Sequence, residues 1–84
     1  MTEQSFYTTE MRRAFHNIVP PENFSVTIAE HSAGGTLLFL EIIVSEKDIM
    51  SLDETGRRGA IVYMMKVRDA LMQEGAIVQI SRSE

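Results

Sequence analysis

The chain has 84 residues, of which 44% are hydrophobic, eight are basic and twelve acidic, and none is cysteine. That length suits a single small domain over residues 1–84, which hides only about 60% of the surface its unfolded chain exposes. Without thiols, disulfides, thiolate metal sites, cysteine nucleophiles and iron–sulfur clusters are excluded, and a reducing, cytoplasmic setting is expected. The net charge of −4 opposes broad electrostatic capture of nucleic acid but allows a local basic patch. The longest apolar run, Leu37 to Leu40, stops at Glu41, far short of a membrane span, and the opening MTEQSFYTTEMRR has no apolar run of the signal-peptide kind.

Thr8 or Thr9 can cap a first helix over about 9–18. Glu10 sits in its first turn, and Met11, Phe15, Ile18 and Val19 form one apolar stripe. Pro20 and Pro21 end it. From Phe24 the period becomes two: Phe24, Val26 and Ile28 alternate with Ser25, Thr27 and Ala29, a half-buried first strand. His31-Ser32-Ala33-Gly34-Gly35 supplies a glycine-containing hairpin connection. Thr36 to Val44 is then apolar on both faces except at Glu41, as a central strand should be. Leu38, Leu40, Ile42 and Val44 share one face, with Leu37, Phe39 and Ile43 on the other. Because two helices cover one side of a small sheet, this second face is expected to need a partner.

Ser45-Glu46-Lys47-Asp48 reads as a variant capping box opening a short helical turn from Asp48 to Leu52. Asp53-Glu54-Thr55-Gly56-Arg57-Arg58-Gly59 reads as a polar loop. Ala60, Met64, Val67 and Leu71 then mark the core stripe of a helix over about 58–74, which Gly75 closes as a left-handed cap. Ile77, Val78 and Ile80 form the last short strand, and Ser81 to Glu84 is expected to fray, leaving an ordered core over about 8–81. The order is α-β-β-α-α-β. It implies an α+β domain with a three-stranded mixed sheet: an antiparallel hairpin, a parallel third strand reached by the helical crossover, and the helices on one face. The expected core is Phe15, Phe24, Val26, Leu40, Ile42, Met64, Val67, Leu71 and Val78.

Catalytic constellations are nearly absent. His16 lies beside the first apolar stripe and His31 in the hairpin, with no spacing that suggests a triad or a paired-histidine metal site. The chain therefore reads as a non-enzyme without metal or cofactor. Gly56-Arg57-Arg58-Gly59 spells GXXG with two basic residues inside, placed before a helix N-terminus where free N–H groups favour phosphate. Met65 and Met72, beside Ile61 and with Arg68 among them, form an apolar shoulder on the last helix, suited either to wide burial or to a partner.

With its glycine run between the two later helices, this order resembles the type II KH domain, especially the small stand-alone bacterial KH proteins. Leu38 to Val44 looks like the apolar strand of that family, Ser45 to Leu52 like its acidic turn and short helix, and Ala76 to Ser81 like its closing strand. Two frames compete for the loop. In one, Asp53-Glu54-Thr55-Gly56 occupies it and the carboxylates repel phosphate. In the other, Gly56-Arg57-Arg58-Gly59 is intact, but the connection from Val44 is longer than in the family and Thr55 replaces an apolar residue. The resemblance implies single-stranded RNA binding, with Arg57 and Arg58 on phosphates and backbone approach at Gly56 and Gly59. The competing expectation is a protein-interaction module on the same scaffold, a homodimer or the receiver of a protein partner, using Leu37, Phe39, Ile43, Met65 and Met72. A BolA-like domain shares the element order but uses a histidine near its last strand, and none follows His31.

Overall fold

A computed structural model describes residues 8–32 and 38–84. Its elements are α1 (Thr9–His16), β1 (Thr27–Ser32), β2 (Leu38–Ser45), α2 (Glu46–Ser51), α3 (Glu54–Gln73) and β3 (Ile77–Ser83). The sheet order is β1-β2-β3, with β1 antiparallel and β3 parallel to β2. This is the expected α+β, α-β-β-α-α-β domain with the doubly apolar strand in the centre. Of the residues expected on its second face, Leu37 lies outside those described.

Local signals account for the element ends. Thr8 Oγ1 accepts from the Met11 N–H at 3.1 Å, and Ser45 Oγ accepts from the Asp48 N–H at 3.4 Å. Gly75 ends α3 at φ +100°, a conformation that disfavours any residue with a Cβ. Before β1, Phe24 N–H bonds to the Pro21 carbonyl at 3.2 Å around Asn23, which takes the left-handed conformation at φ 62°. Asparagine tolerates that region better than most residues.

The core lies between the sheet and the helices α1 and α3. Leu38, Leu40, Ile42 and Val44 point inward from β2 and meet Met11, Phe24, Ala60, Tyr63, Met64, Val67, Leu71 and Ala76. Phe15, Val26 and Val78, expected as core, are partly buried against this cluster. Tyr63 and Ala76 belong to it although neither lay on an apolar stripe of the sequence. Phe24 and Tyr63 meet edge to face, with centroids 6.2 Å apart.

Several boundaries differ from the sequence reading; α2, for one, runs from Glu46 to Ser51 rather than from Asp48 to Leu52. α1 stops at His16, so Val19 lies outside it, exposed beside the prolines. β1 begins at Thr27 and takes in His31 and Ser32 rather than leaving them to the hairpin. β3 runs to Ser83 because the parallel register pairs Ser81, Arg82 and Ser83 with Ile43, Val44 and Ser45. The largest difference concerns residues 53–59: they are not a loop. α2 and α3 are separated by Leu52 and Asp53 alone, and Gly56-Arg57-Arg58-Gly59 lies in the first two turns of α3.

Candidate functional site

The reason α3 begins early is Asp53. Its side-chain Oδ1 accepts from the Gly56 N–H at 2.7 Å, and its carbonyl accepts from the Arg57 N–H at 2.9 Å. The carboxylate also lies at the positive end of the helix, where it is favoured. A Cβ on Gly56 would sit 3.1 Å from both Asp53 Oδ1 and Leu52 Cβ, so the tight capping turn itself explains this glycine. Gly59 is less constrained, since a Cβ there meets only Pro21, at 3.9 Å.

The four residues named as a phosphate clamp are thus arranged differently from the expectation. The Gly56 donor is already engaged by a carboxylate, and Gly59 is interior helix. Arg58 Nη2 bonds Glu54 Oε1 one turn back at 2.8 Å. Arg57 alone of the two arginines forms no ion pair among the described residues. Replacing Asp53 with Ala is expected to destabilise the domain by about 1 kcal/mol through loss of the cap. A chemical-denaturation midpoint equal to that of the parent would overturn this account of the α3 start.

The apolar shoulder is a more developed feature. Ile61, Met65 and Met72 are 52%, 45% and 51% exposed, and Arg68 falls between the two methionines on the same side of α3. This flank overlooks β3. There the sequence reading missed a contributor: Ile80 registers with the fully buried Ile42, so it points to the helix side of the sheet, yet it remains 37% exposed. α3 does not reach far enough across the edge strand to cover it. Val44, Ile49, Ile61, Met64, Met65 and Ile80 line a groove of about 260 Å³, with Arg82 at its rim. Ile49, Ile80 and Arg82 could have been placed there only with the packing of α2 and β3 known.

The opposite face of the sheet is mixed. Phe39 and Ile77 register side by side and are exposed, and Ile43 is half-buried beside Ser81. Between those rows Glu41 pairs with Gln79 and accepts from His31 Nε2 at 2.9 Å. A hydrogen bond from the Ser81 side chain, then one from His31, holds the Glu41 carboxyl below its ordinary range against a smaller effect of burial. A charged, hydrogen-bonded carboxylate in mid-sheet limits how much apolar surface this face can offer. Met65 therefore belongs to an apolar groove, with Met72 beyond Arg68 on the same side of the helix, whereas Phe39 and Ile43 belong to a face interrupted by a charge.

Among the described residues no three histidine or acidic side chains come together as a metal site, and no helix is long and apolar enough to cross a membrane. No protein-family model, curated protein or solved structure matches this chain.

Proposed function

We propose that this chain is a non-enzymatic protein-interaction module that works through the flank formed by α3 and β3. The observation that carries the reading is the apolar groove formed by Ile61 and Met65 on the helix and Ile80 on the edge strand, with exposed Met72 further along the same side of α3. Contiguous apolar patches on a small soluble domain mark contact surfaces, whereas scattered exposed aliphatics do not. The acidic net charge and the use of the Gly56 donor by Asp53 both favour a protein over a polyanion as the occupant.

The KH-like RNA-binding reading keeps one specific support. Arg57 and Arg82 are exposed cations, neither in an ion pair among the described residues, and Arg82 lines the groove whose apolar walls can cradle bases. Titrating the parent with a pool of single-stranded RNAs at low and moderate salt separates the two. The interaction module shows no saturable binding at either salt, and a photo-crosslinking residue at position 65 yields protein adducts that the same residue at Glu10 does not. The RNA module shows binding that falls with salt. The pair Arg57→Asp and Arg58→Asp then flattens the salt slope by about one unit per lost phosphate contact. Saturable RNA binding by the parent, with no protein adducts from position 65, would overturn the proposal.

A further inference from the structure

We propose that the occupant of the α3/β3 flank is a second copy of this chain, joined through antiparallel pairing of β3 with β3 so that two three-stranded sheets become one of six strands. This rests on the interaction reading above and names its partner. Three observations support it.

The first is the state of the edge. β3 is seven residues long, pairs among the described residues only with β2, and keeps a one-to-one register with it from Ile77 to Ser83. Natural edge strands are commonly blunted by proline, a bulge or inward-pointing charge. β3 has no proline, no glycine and no bulge; its single charged residue, Arg82, registers with Val44 and so points to the helix side, but it is the last residue but one of the strand and leaves Ile77 to Ser81 free of charge. The other edge, β1, carries exposed Glu30 and His31.

The second is symmetry. Ile61, Met65, Arg68 and Met72 are spaced by four, three and four residues, which reads the same in both directions. An antiparallel partner about a two-fold axis between Met65 and Arg68 sets Ile61 against Met72 of the second copy and Met65 against its Arg68. The centre of that stripe lies about 10 Å back from the end of α3, at 1.5 Å per helical residue. The same distance forward along β3 from Ile77, at about 3.3 Å per strand residue, arrives at Ile80. One axis therefore serves both layers. It places Ile80 against its own copy and Arg82 against Val78, leaving the two Arg82 side chains about 13 Å apart along the strands.

The third is charge and size. The one cation inside the stripe, Arg68, already bonds Asp69 Oδ1 through Nε and Nη2, each at 3.2 Å. It meets the opposing Met65 with its charge offset and its aliphatic stem available for contact. The strand edge is about 23 Å long and the helix flank stands about 10 Å above it. Such a strip belongs at the small end of specific interfaces, so the dimer is expected to be of micromolar strength.

Sedimentation velocity of the full chain tests this. The parent is expected as a dimer at about 100 μM and to dissociate on dilution. Ile80→Lys, which sets two like charges against each other at the axis, is expected to raise the dissociation constant by at least about tenfold. Ile61→Glu and Met72→Lys should each dissociate the dimer alone, and the double variant should restore it, because the two positions face each other across the axis. A folded parent that remains monomeric at that concentration overturns the proposal, as does a dimer indifferent to all three single substitutions or a double variant that fails to recover. A monomeric parent that still gives adducts to other proteins from position 65 removes the second copy as occupant while leaving the interaction reading in place. Absence of protein adducts removes both.

Discussion

Leu71→Ala is expected to lower stability by about 2–5 kcal/mol, the range for removing a large aliphatic side chain from a packed core. Leu71 is 0% exposed and lies on the inward stripe of α3 with Ala60, Met64 and Val67, against the β2 residues of the same cluster. Its backbone carbonyl also accepts the N–H groups of Glu74 and Ala76 as the helix closes, so the surrounding chain is held and the space cannot easily collapse. A domain of this length has about 5–10 kcal/mol of total stability. The expected consequence is a fall in melting temperature of about 8–40 °C, at roughly 4–8 °C per kcal/mol. Met65→Ala, on the exposed flank of the same helix, is the matched control and should change stability by less than about 1 kcal/mol in the monomer. Equal losses for both substitutions would contradict the division of α3 into a core stripe and a contact stripe.

Phe24→Ala should cost about 3–5 kcal/mol. Phe24 is outside any regular element, yet it is buried, and its ring closes over Tyr63 edge to face. The left-handed Asn23 and the turn bond to Pro21 aim it inward. A second signature accompanies the stability loss. Burial pushes the Tyr63 hydroxyl above its ordinary pKa, so the folded state favours the neutral phenol. The associated stability is present below the unfolded-state value and is lost as pH rises through the folded one. Opening the site by removing Phe24 should bring the spectrophotometric titration of Tyr63 down toward its ordinary value. An unshifted tyrosine titration in a folded Phe24→Ala variant would show that the phenylalanine does not control the burial of Tyr63.

The order of elements and most of the core could be read from local periodicity. The inward alternation of β2 and the Ala60, Met64, Val67 and Leu71 stripe are repeats of two and 3.6 residues, and each is visible wherever a segment buries one side. Caps were equally local: Thr8, Ser45 and Gly75 act within three residues of themselves. The misreading of residues 53–59 came from treating two glycines as loop punctuation. The competing signal was present in Asp53, three residues before Gly56, but a cap and a turn residue are the same amino acid until the following backbone is known. Here the carboxylate bond at 2.7 Å and the helical i, i+4 pair of Glu54 with Arg58 carry the chain into helix.

Other features depended on segments distant in sequence. Ser81 to Ser83 have little strand preference of their own, and they are extended because the parallel register with Ile43 to Ser45 offers their backbone a ladder. Ile80 has the spacing of a core residue and is left open because α3 covers only part of the edge strand. Phe39 and Ile43 have the spacing of a contact face, but Glu41 with His31 and Ser81 interrupts it with a hydrogen-bonded charge. Periodicity states which side of an element is apolar. How much of that side another element covers is a matter of layer widths and crossing positions, which arise only when helices and strands far apart in the chain pack together, and in this protein that difference creates the flank to which function is assigned.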